Sequence, residues 1–236
     1  MHRSQSGFTL VEIAIVLVII GLLLGGILKG QELINSARVR NLADTTTGIQ
    51  AAYYGFIDRY RRVPGDWKAD AATKAIGTTI TGGGNDNGRL DDAAGVFAEN
   101  NGMWEQLAKA GFIQGNFNGT ADEPSTNNDL SPLNAYNNVI VMGRTDDYLN
   151  ASSVRLYSVF GRGVPVNVMR ELDVKLDDGK PAEGDVRATK QAADVTYFAG
   201  TNKWGGAGSN CTVDDSGKQI WDVQNDAQDC NAVYLY

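Results

Sequence analysis

The stretch Gly7-Phe8-Thr9-Leu10-Val11-Glu12, continued by Ile13-Ala14-Ile15-Val16-Leu17-Val18-Ile19-Ile20, decides how the rest of the chain is read. From Phe8 to Leu28 the only charged residue is Glu12. As a helix rising about 1.5 Å per residue, this run reaches roughly 30 Å, enough to cross a bilayer. A cleaved secretory signal has an apolar region of about 7 to 15 residues and an A-x-A-like site after it. Here the run is longer, no such site follows, and the small residue, Gly7, precedes it. A carboxylate inside a membrane costs up to about 2.5 to 3.5 kcal/mol at mid-bilayer and less near the edge. Glu12 therefore needs a partner, unless it lies close enough to the interface to snorkel to water.

Flanking charge does not orient the segment. Arg3 and the terminal amine lie on one side and Lys29, Arg38 and Arg40 on the other, while long C-terminal domains translocate largely regardless of such charges. The remainder of the 236 residues, in a chain 42% hydrophobic and 21% charged, suits one ordinary domain. A net charge of −7 argues against a nucleic-acid partner, because neutralising phosphates takes a Lys/Arg-rich face. The densest basic cluster, Arg59 to Arg62, holds only Arg59, Arg61 and Arg62. The single histidine is His2, ahead of the apolar run. Without an imidazole in the body, Ser-His-Asp and Cys-His nucleophiles and His-ligated zinc are excluded, and no enzymatic activity is expected. Cys211 and Cys230 are the only cysteines. In an exported body they are read as a disulfide, in preference to two buried free thiols.

Further along, Leu42, Ile49, Tyr53, Phe56, Ile57 and Tyr60 recur at helical spacing and mark one apolar face of a continuing helix, which runs to about Arg62. Pro64-Gly65-Asp66 stops it. The polar, Gly-rich segment from Thr78 to Asp92 reads as a loop. Within it Asn85, Asn87 and Asp91 could supply oxygen ligands to calcium, although an EF-hand would want an acidic residue where Gly83 stands; a turn closed by Asx hydrogen bonds is the competing reading. Asp177-Asp178-Gly179 is a weaker candidate of the same kind, or a helix-ending turn. Trp104 to Ile113 reads as a helix capped by Gly111, and Asn167 to Leu176 as another. Val139 to Met142, Val154 to Phe160, Val195 to Ala199 and Val233 to Tyr236 read as strands. The expected class is α+β, an antiparallel sheet laid over the long N-terminal helix. Sequons at Asn118, Asn150 and Asn210 are read as chance.

The short polar leader, Phe8-Thr9-Leu10-Val11-Glu12 and the apolar Ile13 to Leu28 together resemble the class III signal of type IV prepilins and pilin-like proteins. The resemblance implies that a membrane prepilin peptidase cuts between Gly7 and Phe8 and methylates the freed Phe8 amine. Glu12 would then pair with that amine on a neighbouring subunit, a pairing strengthened by the low dielectric of a filament core. Gly21, Gly25 and Gly26 allow close helix approach, Gly21 and Gly25 as a G-x-x-x-G. One departure from many type IV pilins is the absence of proline near the end of the apolar run, at Ile27-Leu28-Lys29-Gly30. Pro64-Gly65-Asp66, Asn85 to Gly88, Trp104 to Gly111 and Leu176 to Gly179 are similar to a subfamily of pilin-like proteins with larger globular domains.

The implied organisation is a leader over 1–7, an assembly helix over 8–28, its amphipathic continuation over 29–63 and a globular domain over 64–236, in a ladle-shaped fold. The implied role is a structural subunit of a type IV pilus, with a type II secretion pseudopilin as the nearer alternative and a non-polymerising membrane-anchored binding module as the more distant one. The implied partners are other pilin subunits, the prepilin peptidase, the inner-membrane assembly platform and membrane lipid. The precursor would sit in the bacterial inner membrane with its body in the periplasm, before entering a filament there or on the cell surface. No cofactor beyond the candidate calcium is expected.

Overall fold

A computed structural model describes residues 9–90, 96–145, 148, 155–189 and 211–236. Its first element, α1 (Leu10–Tyr60), is one unbroken helix. The chain divides into two compact units, the first ending at Arg38 and the second running Val39–Tyr236.

In the first unit every large apolar residue of α1 from Leu10 to Ile34 is exposed, from 46% at Ile20 to 91% at Leu10. A helix that is apolar all round and exposed among the described residues has the composition of a membrane span or of a segment packed among neighbours. By length and composition α1 suffices to cross a bilayer. The helix is unbroken through Ile27-Leu28-Lys29-Gly30, where a proline would have removed a backbone hydrogen bond, and Lys29 Nζ and Glu32 Oε2, 2.6 Å apart, bridge one turn there. This exposed pair adds a few tenths of a kcal/mol at most.

In the second unit the expected apolar face of α1 is buried: Leu42, Ile49, Tyr53 and Phe56 are 6% exposed or less. The helix ends at Tyr60, where Arg61 takes a left-handed conformation (φ 54°), two residues earlier than expected and just ahead of Pro64. A short helix missed by the sequence reading, α2 (Ala69–Ile76), follows and closes on Gly77.

The third helix, α3 (Ala98–Lys109), begins six residues before the expected Trp104 and ends four before Ile113. Glu99-Asn100-Asn101-Gly102 has poor helix propensity and looks like a loop. Tertiary bonding overrides this, because all four residues are buried. Asn101 Nδ2 donates to the carbonyls of Thr120 and Asp122 at 2.6 and 2.8 Å, and Asn100 Oδ1 accepts the Met142 N–H at 2.9 Å. A side chain at Gly102 would stand 2.8 Å from the backbone of Gly82 and Gly83, so only glycine lets the Gly-rich loop pass that close. At the other end Gly111 (φ 82°) donates to Ala108 O and Phe112 N donates to Leu107 O, a Schellman closure that agrees with the expected glycine cap.

The sheet has four antiparallel strands in the order β1-β2-β6-β3: β1 (Val141–Thr145), β2 (Arg155–Val159), β3 (Val186–Ala188) and β6 (Ala232–Leu235). Register is fixed by Val141 opposite Val159, Tyr157 opposite Leu235 and Val186 opposite Tyr234. Helix α4 (Val166–Leu176) falls between β2 and β3, one residue longer than read from sequence. A separate hairpin, β4 (Thr212–Asp215) with β5 (Lys218–Trp221), precedes β6. The α+β expectation holds, as do three of the expected strands within two or three residues at each end. Val195 to Ala199 lies outside the described residues.

Two clusters tie this body to α1. Val39, Leu42 and Ala43 pack with α4, Cys211, Trp221 and Cys230. Ile49, Tyr53 and Phe56 pack with Trp67, Met103, Trp104 and Met142. A third cluster lies on the sheet itself, around Val141, Tyr157, Val159 and Val233.

Candidate functional site

Helix α1 starts with donors that have no intrahelical carbonyl to meet. Thr9 and Glu12 settle two of them reciprocally. Thr9 Oγ1 accepts the Glu12 N–H at 3.3 Å, while Glu12 Oε2 accepts the Thr9 N–H and the Thr9 hydroxyl, each at 2.8 Å. This is a capping box, T-x-x-E, with Thr9 as N-cap and Glu12 at the third helical position. The Glu12 carboxylate also lies in the first turn, where the helix dipole favours negative charge. A carboxylate at the tip of an otherwise apolar helix thus has a local reason to be there, independent of any neighbour. The sequence reading singled out Glu12 and passed over Thr9, although the spacing was visible in it. Gly7 and Phe8 lie outside the described residues.

Beyond the cap, as far as Ile34, the large apolar side chains of the helix are exposed among the described residues. A Cβ at Gly21, Gly25, Gly26 or Gly30 would meet nothing within 4 Å, so no contact among the described residues requires these glycines. Residues 2–28 match the family described as the prokaryotic N-terminal methylation motif. The chain carries the class III signal of a type IV pilin-like protein. No curated protein and no solved structure matches the chain. Together with the apolar helix, the motif fits a membrane-anchored precursor.

In the second unit the calcium candidates take up specific positions. The turn at Asn85 to Gly88 is built around Asp66, whose carboxylate accepts the Asn87 N–H at 3.0 Å and the Gly88 N–H at 2.7 Å. Asn87 Oδ1 accepts the Arg89 N–H at 2.9 Å, the Asx bond of the competing reading, and Asp86 pairs with Arg62 at 3.0 Å. Asp91 lies outside the described residues. The wider Gly-rich loop is pinned from α3: buried Glu105 accepts the N–H groups of Thr81 and Gly82 at 2.8 and 2.7 Å, and Gln106 Nε2 donates to Trp67 O and Gly82 O. At the second candidate the ligand atoms of Asp173, Asp177 and Asp178 come within 4.8 Å of one another. Asp173 is buried and accepts the Trp221 indole N–H at 2.6 Å and the Gly179 N–H at 3.2 Å; Asp177 accepts the Asp185 and Val186 N–H groups. Burial pushes the Asp173 carboxyl up to about 6, with the Trp221 and Gly179 bonds opposing and the Asp178 and Asp177 charges adding to the rise.

Cys211 and Cys230 form a disulfide, Cα to Cα 5.7 Å. It closes the segment that contains the β4–β5 hairpin. Trp221 and both cysteines lie in the same buried cluster as Val39 and α4.

Proposed function

We propose that the chain is the precursor of a structural subunit of a type IV pilus, cut between Gly7 and Phe8, methylated on Phe8, and polymerised through α1. The observation that carries this reading is the methylation motif over residues 2–28, set on a helix whose apolar residues are all exposed from Leu10 to Ile34. A free Phe8 amine would stand one residue before the Thr9 cap, where Glu12 of a neighbouring subunit supplies the opposite charge. In the apolar interior of a filament such a pair is stronger than in water, and an unpaired member is costly, which selects the register. The precursor sits in the inner membrane with its body in the periplasm, and the assembly platform and membrane lipid are its partners before extrusion. The large body and its disulfide favour a pilus over a type II secretion pseudopilus.

The test is made on the full-length chain in its own host. Mass analysis of the mature protein is expected to give an N-terminus at methylated Phe8; an intact Met1 would sink the reading. Glu12→Ala is expected to leave the protein inserted in the membrane and strongly depleted from sheared filaments. Incorporation at the wild-type level would refute the pairing.

A further inference from the structure

The sequence holds three Asn-Gly pairs, Asn87-Gly88, Asn101-Gly102 and Asn118-Gly119, and the fold sets each in a different environment. In such a pair the glycine nitrogen can attack the carbonyl carbon of the asparagine side chain, because no Cβ on the glycine blocks the approach. Attack requires that the glycine N–H lose its proton and that the side-chain oxygen take up negative charge. At Asn87-Gly88 both needs are met by groups already in contact. Buried Asp66 accepts the Gly88 N–H on Oδ2 at 2.7 Å, within reach of a general base. Asn87 Oδ1 accepts the Arg89 N–H at 2.9 Å, the donor that a developing oxyanion needs. Asn87 and Gly88 are exposed and line a cavity of about 260 Å³ with Arg61 and Arg62, so water can enter and ammonia can leave.

The other two pairs lack part of this arrangement. Asn118 is exposed and its Oδ1 accepts the Thr120 N–H at 3.2 Å, the same Asx bond, but among the described residues no carboxylate accepts the Gly119 N–H. Asn101 is buried in α3, where its Nδ2 is held by the carbonyls of Thr120 and Asp122 and Gly102 lies inside the helix. Its leaving nitrogen is tied down, and the Gly102 N–H belongs to the helix ladder.

We propose that Asn87-Gly88 is a self-modifying site, at which Asp66 draws the proton from Gly88 N while that nitrogen closes on Asn87 Cγ. The Cγ–N bond forms, and the Arg89 N–H stabilises the negative charge on Oδ1. The proton passes by way of Asp66 or water to Nδ2, and the Cγ–Nδ2 bond breaks to release ammonia. Water then opens the succinimide ring at either of its carbonyls, leaving aspartate or isoaspartate at position 87. The only co-reactant is water. Either product adds one negative charge beside Asp66 and Asp86. Isoaspartate also lengthens the backbone by one carbon, so the N–H groups of residues 87 and 88 no longer reach Asp66 together and the turn opens. Nothing in this chemistry depends on assembly into a filament.

The experiment uses the full-length chain purified in detergent, incubated at neutral pH and mapped by peptide mass spectrometry, with an isoaspartate-specific methyltransferase as a second readout. Asn87, Asn101 and Asn118 are followed in the same sample. A positioned base contributes roughly 10²- to 10⁴-fold, so conversion at Asn87 should outpace that at Asn118 by at least about ten-fold. Asn101 should stay unchanged while the chain is folded. In guanidinium the turn is gone, and Asn87 and Asn118 should react at similar rates. Asp66→Asn keeps the shape and removes the base, and in a variant that still melts cooperatively it should bring Asn87 down to the rate of Asn118. Equal rates at Asn87 and Asn118 in the folded wild type overturn the site. A preference for Asn87 that persists in guanidinium belongs to the local sequence and overturns the role of the turn. A folded Asp66→Asn variant that reacts as fast as wild type overturns Asp66 as the base. The first two comparisons need no variant, so they decide the matter even if Asp66→Asn fails to fold.

Discussion

Glu12 is bonded twice over to Thr9, through the backbone N–H and through the hydroxyl. Pairing with a neighbour's amine therefore has to add to a cap already made or displace it, and a carboxylate has lone pairs enough for both. If a neighbouring subunit's amine pairs with Glu12 as proposed, the local bond has already oriented the carboxylate, so less side-chain freedom is lost on pairing. Asp173 is the other residue whose setting has a measurable consequence. Its carboxyl is raised from 3.8 to about 6, chiefly by burial. The folded state thus holds this proton more tightly than the unfolded chain. The stability it contributes is complete below about pH 4 and is lost as pH rises through about 6. Comparing the melting temperatures of wild type and Asp173→Asn from pH 4 to 8 isolates it: relative to the variant, wild type should lose stability between pH 4 and 6 and run parallel above. A constant difference throughout would count against a buried, titrating Asp173. None of this was legible in the sequence, since the partner that fixes Asp173 is Trp221, 48 residues away. The Thr9 cap, by contrast, was legible, being a three-residue spacing before an apolar run.

Among the elements, α1 was readable over nearly its whole length because its two patterns, apolar all round and then apolar on one face, are properties of the segment alone. Helix α3 was misplaced because its first turn is Asn-rich and is held by bonds to Thr120, Asp122 and Met142 that no local pattern shows. Strand β3 has only three residues and exists through its pairing with β6. The β4–β5 hairpin did carry a signal, the Ser216-Gly217 turn with φ of 56° and 82°, as a two-residue type I′ connection needs. Its strands end in Asp214-Asp215 and begin at Lys218, which hid the apolar pair of Val213 and Ile220 that stand opposite each other. This hairpin is too small to be stable unaided. Its anchors are Trp221 and the Cys211–Cys230 bond, with a sequence separation of 19. Replacing both cysteines by serine should cost about 3 kcal/mol in the chain-entropy view, some 6 to 12 °C for a chain of this size. Calorimetry of wild type and the double variant reads this directly, and an unchanged melting temperature would show that Trp221 alone holds the hairpin.

At the scale of the whole molecule, the buried core begins at Val39 and none of it lies among the described residues of the first unit. Residues 39–236 expressed alone should accordingly be soluble, cooperative in melting and monomeric at micromolar concentration; aggregation without a folded baseline would contradict that division. The same sample addresses calcium at Asn85, Asn87 and Asp91. Asp66 already draws the turn closed through two backbone N–H groups. The melting temperature is therefore expected to be the same in calcium and in chelator, and a rise in calcium would assign the turn to the ion. The bond between Cys211 and Cys230 also bears on timing. Thiols pair where the surroundings are oxidising and stay apart in a reducing cytosol. A freshly made chain therefore has its sticky N-terminal helix from the outset but not a braced hairpin. If the body is exported as proposed, the hairpin gains its covalent brace only once the chain has left the cytosol, so an oxidised Cys211–Cys230 pair would report which molecules have crossed.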